Sequence, residues 1–392
     1  TIYSLKRIRI NYRNMSSNKV LLTTVFSGYN YGSSLQALAG KTILKELGYD
    51  CQLVAMKSLV KGRDIRLKKL LTILVRSLML RGKNGSKSLS IYQNSYNKTM
   101  IGDSASLFIR FSDEYLQPNY LSWDGMKKAA KEAVACFAGS DQIWNSSTMY
   151  VDPMYYLRFA PAEKRVALAP SFGRDFVADY NKEKIGKWIS EFAYLSVRED
   201  SGGKLIKEMT GREAIQLVDP TLMVDGETWK NILGIDDKES NYILAYFLDK
   251  PSELARKAIT ELRAALKYEV IAIPYQFDDM SYCDKMVSSG TIEFLDLINN
   301  AKCVLTDSFH GTAFSINLHT PFYVFSRAYG TAHSQNSRVE SILKKVKMQA
   351  RFEPKDVLVQ YDQIDFAYSE SVLIEERKNA REYISNALKT IE

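Results

Sequence analysis

Val20-Leu21-Leu22-Thr23-Thr24-Val25-Phe26 runs into Ser27-Gly28-Tyr29-Asn30-Tyr31-Gly32 and then into Ser33 to Leu47. Gly48 follows, and a second strand-like run covers 50–56. The first seven residues are apolar or β-branched, as a buried strand requires. The next six are turn formers with two glycines. From Ser33, Leu35, Leu38, Ala39, Thr42, Ile43, Glu46 and Leu47 recur at near-helical spacing until Gly48 stops the helix. Strand, glycine-containing loop, helix and strand in this order open a parallel α/β sheet.

The alternation continues outward. Val134 to Ala138, Val166 to Pro170, Ala193 to Val197 and Ile215 to Val218 read as buried strands, with helices over Asn181 to Phe192 and Ser201 to Met209. Gly226, Gly234, Asp236, Asp237 and Lys238 mark a break near 225–240, and a second series begins beyond it. Its strands are Tyr242 to Leu248, Val270 to Pro274, Cys303 to Thr306 and Pro321 to Phe325. Its helices are Pro251 to Leu266, Thr291 to Ala301, His310 to Leu318 and Ser337 to Val346. The expectation is two Rossmann-like α/β domains, 19–232 and 240–350, with parallel sheets. Ligands then bind in the cleft outside the carboxyl ends of the strands. A last helix, within 370–392, is expected to pack back on the first domain. Residue 1 is Thr and Met15 opens a more natural start, so residues 1–18 are read as a flexible N-terminal extension.

The 392 residues are 46% hydrophobic and 25% charged, which excludes a disordered or fibrous chain. No apolar run reaches the roughly 18 residues of a spanning helix. The closest, Leu70 to Leu80, is short and carries Arg76. No secretory leader is visible, so a cytoplasmic location is expected. Cys51, Cys136, Cys283 and Cys303 form no C-x-x-C pair and read as free thiols.

The net charge of +8 sits in one place. Residues 61–87 hold nine Lys or Arg (61, 63, 66, 68, 69, 76, 81, 83, 87) and one acid, Asp64. A nucleic-acid binder spreads its positive charge over a face, so no nucleic-acid partner is expected. Within the basic segment 61–98, residues 62–81 read as an amphipathic helix, with Ile65, Leu70, Ile73, Leu74 and Leu78 between the cations. It is either a solvated hairpin or a patch for anionic lipid or a lipid diphosphate, which would give peripheral contact with the inner membrane face through 61–87.

Five stretches can carry chemistry. Thr306-Asp307-Ser308-Phe309-His310-Gly311-Thr312 follows a strand and opens a helix, where backbone N–H groups and the helix dipole suit an anion. His310, one of three histidines, is the natural proton-transfer group at neutral pH. The alternative is a structural histidine at a helix start. His319, farther along that helix, reads as structural. Gly139-Ser140-Asp141-Gln142-Ile143-Trp144-Asn145 follows another strand, with side chains to hydrogen-bond a polyol and an indole to stack on it; otherwise it is a turn with Asp141 as a cap. In Ser196-Val197-Arg198-Glu199-Asp200, Arg198 can grip a carboxylate or phosphate, or simply pair with its acidic neighbours. The loop from Ser27 to Ser33 lets backbone approach a ligand, although a glycine-rich loop alone is a weak signal. Asn336-Ser337-Arg338 opens a helix from which Arg338 can face an anion.

Together these stretches resemble the polysaccharide pyruvyl transferases over residues 19–346. The resemblance rests on an ordered set: Tyr29 to Gly32 with Leu35-Gln36-Ala37-Leu38, Gly139 to Asn145, Pro170-Ser171-Phe172-Gly173, Ser196 to Glu199, Asp219-Pro220-Thr221, Ser308 to Thr312 and Asn336 to Arg338. It implies a fold similar to the glycosyltransferase-B class with the active site in the interdomain cleft. It implies phosphoenolpyruvate as donor and a sugar hydroxyl pair, on a glycan or lipid-linked oligosaccharide, as acceptor in surface polysaccharide (exopolysaccharide or capsule) biosynthesis. It also implies that Arg198 and His310 belong to the active site. The acceptor is expected on the N-terminal domain and the donor anion on the C-terminal one.

The residue types suit that chemistry. A phosphate and a carboxylate need several donors: Arg198, the helix start at Ser308, Gly311 and Thr312, and Arg174, Arg327 or Arg338. Asn30, Gly32, Ser140, Asp141, Gln142 and Trp144 are candidates for contact with substrate. Ketal formation protonates the enol methylene and deprotonates sugar hydroxyls, tasks for His310 with help from Asp141 or Asp307. Arg198→Lys loses the planar fork and should be poorly active. No residue cluster has metal-ligand spacing, so neither metal nor cofactor is expected. A nucleotide-sugar glycosyltransferase of similar fold and a non-catalytic glycan-binding protein are the competing readings.

Overall fold

The computed structural model describes residues 18–59, 66–79, 104–146, 150–274, 280–327, 333–359 and 361–391. The expected extension up to residue 17, and 61–65 and 80–98 of the basic segment, lie outside them.

The first sheet is built on β1 (Lys19–Thr23), β2 (Asp50–Met56), β3 (Asn119–Leu121), β4 (Cys136–Ala138) and β5 (Arg165–Ala167). Its order is β3-β2-β1-β4-β5 and every pairing is parallel. β6 (Ser196–Val197) and β7 (Ile215–Gln216) extend it through a bridge between Val166 and Tyr194. The second sheet uses β8 (Tyr242–Tyr246), β9 (Glu269–Ile273), β10 (Lys285–Met286), β11 (Cys303–Thr306) and β12 (Phe322–Val324). Its order, β10-β9-β8-β11-β12, repeats the first. In each half the strand order reverses beside one central strand, β1 or β8. The loops that leave the carboxyl ends there form the crevice where such sheets bind ligands.

The first helix, Tyr31–Glu46, starts two residues before the expected Ser33 because Asn30 caps it: its Oδ1 accepts from Ser33 N at 3.0 Å. Most of this helix is buried, since it lies between the halves. Tyr31 stacks on Phe294 of the second half with centroids 4.4 Å apart, and its hydroxyl lies 2.7 Å from Ser289 Oγ. One apolar cluster therefore runs through both halves, from Leu22 and Leu35 to Phe294, Phe314 and Leu373.

The apparent break near 225–240 is shorter than its composition suggests. Asp225 caps a helix, Gly226–Leu233, by accepting from Thr228 N at 2.8 Å. Gly226 touches the helix Phe309–Asn317 so closely that a Cβ would meet Asn317 O at 2.4 Å. The glycine there serves a close approach, and only the stretch after Gly234 is a connector. The last helix, Phe366–Ile391, crosses back: Arg377 Nε donates to Leu222 O (3.1 Å) and the Tyr383 hydroxyl to Ala167 O (2.8 Å).

The basic region contributes a helix, Leu67–Met79. Arg66, at its start, is buried and ion-paired with Asp152, which removes it from the expected cationic surface. Ile73 packs inward, while Leu67, Leu71, Leu74 and Val75 are exposed. Among the described residues no helix is long and apolar enough to cross a membrane. The four cysteines are free, with Cys136 and Cys303 buried.

Candidate active site

The loops at the two switch points meet over Gly32. A Cβ on this residue would lie 2.0 Å from His310 Nδ1, so only glycine lets the first helix reach the imidazole. Next to it, the Ser33 hydroxyl donates to Asp141 Oδ2 at 2.5 Å. Asp141 holds a left-handed backbone (φ 65°), which turns the chain after β4 and aims its carboxylate at the helix start. Gln36 fastens this corner from below: its Nε2 donates to Val25 O (2.6 Å) and Ser33 O (2.9 Å).

Arg198 leaves the end of β6 and is 5% exposed. Its Nη1 pairs with Asp219 Oδ2, and its Nε lies 3.4 Å from Glu199 Oε1. Burial opposes its charge, but Asp219, Glu199 and Asp141 overcome that and hold its pKa above the ordinary arginine value. Asp219 follows β7 and caps the short helix Pro220–Met223. Its Oδ1 accepts from Thr221 N (3.0 Å) and Oγ1 (2.7 Å); its Oδ2 accepts from Ser140 Oγ at 3.2 Å and lies 3.9 Å from His310 Nε2. Burial would raise its pKa, but Arg198, His310 and Thr221 pull it down to about 2.

His310 stands in the first turn of the helix Phe309–Asn317. Burial lowers its pKa below the ordinary histidine value, with Arg198 and Arg338 acting in the same direction and Asp219 and Asp141 against. The imidazole is therefore neutral at pH 7. Arg338 approaches from the helix His333–Lys345. Its pKa falls to about 10, through burial and the neighbouring Arg198 and Arg327. Both guanidinium groups face the Phe309 ring, at 4.8 Å for Arg198 and 5.8 Å for Arg338. Gln142, with its amide oxygen turned toward Arg338, accepts from Nη1 and Nη2 at 3.1 and 3.0 Å. Gly173 (φ 65°) makes room for it, since a Cβ there would meet the Gln142 amide at 2.4 Å. About 350 Å³ of space, part of it open to solvent, lies between Arg198, Glu199, Asp219, Phe309, Arg338 and Lys345.

Two parallel α/β halves with a shared site at their joint make the glycosyltransferase-B architecture. The family model for polysaccharide pyruvyl transferases matches residues 30–329. The chain belongs to the polysaccharide pyruvyl transferase family. The family is one of transferases, so this cluster of charges is the candidate active site of a pyruvyl transferase. No curated protein sequence is significantly similar to the chain. Among solved structures it resembles Arabidopsis thaliana UGT89C1 complexed with UDP-L-rhamnose at 11% identity, covering 95% of this chain and 98% of that one with a TM-score of 0.46. UDP-GlcNAc 2-epimerase from Neisseria meningitidis bound to UDP-GlcNAc is 11% identical over 95% of this chain and 99% of that one, with a TM-score of 0.43. The glycosyltransferase SnogD from Streptomyces nogalater is 11% identical over 95% and 97%, with a TM-score of 0.37.

Several expectations for the candidate site need correction. Trp144 cannot stack on a sugar: it is fully buried, stacks on Tyr156 and donates from Nε1 to Tyr155 O at 3.3 Å. The helix start donates less than its sequence suggests. Gly311 N is taken by Ser308 Oγ (3.3 Å), and Thr312 N (3.0 Å) and Oγ1 (2.9 Å) by Ser308 O. Ser308, Gly311 and Thr312 thus cap and pack the helix that carries His310. The Asn30 side-chain oxygen is likewise spent on its cap. Arg174 lies over Phe176, at 5.4 Å, and Arg327 pairs with Asp307 (3.6 Å). Sequence reading alone misses Asp219, Glu199 and Ser171, whose hydroxyl donates to Glu199, although each falls within a motif of the resemblance. The signal for Asp219 is Asp219-Pro220-Thr221, in which a capping acid precedes proline at the first helical position. Among the described residues no group of three or more His, Cys, Asp and Glu side chains can hold a metal ion.

Proposed function

We propose that the chain transfers the pyruvyl group of phosphoenolpyruvate to a hydroxyl pair of a glycan or lipid-linked saccharide, giving a pyruvate ketal and phosphate. One observation carries this reading. Arg198 Nη2, Arg338 Nε and His310 Nε2 are buried and have no hydrogen-bond partner. Leaving such atoms unpaired costs free energy, so a site that keeps them together is built for a ligand. Two guanidinium groups and an imidazole suit a small molecule with two anionic groups. The guanidinium groups come one from each half, so the donor is held from both sides rather than by the C-terminal half alone.

The resting imidazole is neutral and can accept a proton from a sugar hydroxyl. A bound dianion stabilises the protonated ring, so the same nitrogen can pass a proton to the enol methylene. The attacking hydroxyl loses a proton as its oxygen bonds to C2. The second hydroxyl displaces phosphate, which leaves with the remaining proton. Asp219 and Arg198 hold the imidazole between charges of opposite sign.

The test is phosphate release from phosphoenolpyruvate with saccharide acceptors, followed by the mass of the product. Phosphate release with a ketal on the acceptor supports the reading. A thermal shift with UDP- or GDP-sugars and none with phosphoenolpyruvate overturns it in favour of a glycosyltransferase.

The reaction is placed in surface polysaccharide biosynthesis, at the cytoplasmic face of the inner membrane. The exposed Leu67, Leu71, Leu74 and Val75 beside Lys68 and Lys69 support contact with an anionic lipid surface. Vesicle flotation should then require anionic lipid and weaken with salt; binding indifferent to both removes the membrane assignment.

A further inference from the structure

We infer that Asn317 positions Asp219 against the imidazole of His310, and that Arg377 of the last helix holds Asn317 to that task. This deepens the pyruvyl-transfer reading, on which its kinetic part rests, by adding two residues that act through others.

The short helix Pro220–Met223, capped by Asp219, is where the last helix meets the site. It is one turn, about 6 Å long, and so short a helix has no partners of its own for its C-terminal carbonyls. Side chains from elsewhere supply them. Thr221 O accepts from Asn317 Nδ2 (2.9 Å) and from Trp229 Nε1 (2.9 Å), and Val224 O accepts from the same Asn317 Nδ2 at 2.8 Å. Leu222 O accepts from Arg377 Nε at 3.1 Å, and Met223 O from Arg381 Nη1 at 3.2 Å.

Among these donors, Asn317 is the one that shares a helix with His310. It lies seven positions farther along Phe309–Asn317, a spacing that returns to the same helix face. The Asp219 turn is thus fastened to this helix by Asn317 at one end, while at the other Asp219 Oδ2 lies 3.9 Å from His310 Nε2. Thr221 joins the two ends. Its carbonyl is held by Asn317, and its N–H and hydroxyl hold Asp219 Oδ1. A shift at Asn317 reaches the carboxylate through this single residue.

The amide is fully committed. Asn317 is buried, its Nδ2 serves both carbonyls, and its Oδ1 accepts from Arg377 Nη2 at 2.9 Å. Turning the amide over would set its oxygen against two carbonyls and its nitrogen against a guanidinium. Arg377 is itself buried and anchored by Glu370 of its own helix and by Leu222 O. Asparagine favours a helix little, and these bonds are what offset its burial.

The charged groups that face His310 are Asp219 beyond β7, Asp141 after β4, Arg198 at the end of β6 and Arg338 on the helix His333–Lys345. Asp219 does more than Asp141 to favour the protonated ring. Loosening Asp219 therefore lowers the titration midpoint of the imidazole. Through space alone the test variants act the other way, because a carboxylate added at 317 or a cation removed at 377 favours protonation. The sign of the shift separates positioning from long-range charge.

The experiment is NMR titration of the full chain labelled in its three histidines, with the His310 signal assigned by its loss in His310→Ala. Asn317→Asp keeps the shape and the acceptor for Arg377 but loses both bonds to Thr221 O and Val224 O. The His310 midpoint should fall by about half a unit or more, and kcat for phosphate release from phosphoenolpyruvate should drop about tenfold. Arg377→Gln should move the midpoint in the same direction by less, and it carries the test if Asn317→Asp does not fold. Tyr383→Phe removes another buried hydrogen bond of the last helix, to Ala167 O, and should lower the melting temperature while leaving the midpoint in place. A midpoint that stays or rises in the folded variant, or that falls equally in Tyr383→Phe, overturns the inference. The expected fall in a chain that releases no phosphate from phosphoenolpyruvate keeps the positioning role and removes the pyruvyl-transfer reading.

Discussion

Asp141 follows β4 and Asp307 follows β11, at matching places in two sheets of the same strand order, and their surroundings push their carboxyls in opposite directions. Burial would raise the pKa of Asp141, but His310, Arg198, the Ser33 hydroxyl and the Gln142 N–H outweigh it and hold it below the ordinary aspartate value. For Asp307 burial wins: Arg327 and the N–H groups of Leu248 and Asp249 are not enough, and the pKa rises to about 6. The difference lies in who supplies the partners. Asp141 faces His310 from the other half of the chain and Arg198 from the end of β6, which places it beside the candidate site. Asp307 is held mainly by the loop after β8 of its own sheet, at 2.7 and 3.0 Å, and braces the turn that launches the His310 helix. The same topological position faces the candidate site in one half and supports a turn in the other.

The largest effect should come from removing the group that the second half places opposite Asp141. His310→Ala should lower pyruvyl transfer by about 10²–10⁴-fold, read as phosphate release. The melting temperature should fall little, because Arg198, Asp219 and Thr221 still satisfy one another. Near-normal turnover in a folded variant would place the chemistry elsewhere and end the contrast between the two carboxylates.

Asp307→Asn tests the bracing carboxylate. A raised folded pKa means that the native state binds the proton more tightly than the unfolded chain. The stability this confers is complete below the unfolded value near 4 and is lost as pH rises through about 6. In the wild type this contribution falls by up to about 3 kcal/mol across that window. The asparagine variant lacks it, so the variant's stability relative to wild type should rise from pH 4 to pH 7. Urea unfolding at several pH values measures it. A difference independent of pH would mean that Asp307 is an ordinary carboxylate and the two halves are not unlike after all.

The frame of both halves was legible because buried parallel strands are apolar runs separated by helix-period segments. Cys303–Thr306 is an example: four buried residues bounded by a polar turn on each side. Asn119–Leu121 was not legible, because three residues with Tyr120 exposed carry no period. Nor was the burial of Trp144. Its neighbours Ser140, Asp141, Gln142 and Asn145 are polar, and the left-handed turn at Asp141 that sends the indole inward has no apolar pattern to announce it. His310 and Arg198 were visible as rare residue types at strand ends. Their partner Asp219 needed the fold, since 91 residues separate it from His310 and 21 from Arg198. Arg66 looked like a surface cation for the same reason, with Asp152 lying 86 residues away.

The smallest effect sharpens the comparison at the cationic side, where Arg198 from the first half and Arg338 from the second share Phe309. Arg198 is held charged by Asp219 and Glu199, whereas Arg338 is buried beside other cations and depressed to about 10. Arginine tolerates that depression and stays charged at pH 7. A lysine starts near 10.4, and the same surroundings would bring it to roughly 8. Arg338→Lys also removes the unpartnered Nε donor. Calorimetry should show phosphoenolpyruvate binding about tenfold weaker at pH 7, the equivalent of one charge-assisted hydrogen bond of about 1.4 kcal/mol. The loss should grow as pH rises through 8 and the new ammonium discharges, while the wild-type affinity stays level over the same range. A loss that does not deepen between pH 7 and 9 would mean that the lysine remains charged, and so that Arg338 meets solvent or an acid rather than Arg198 and the bound anion.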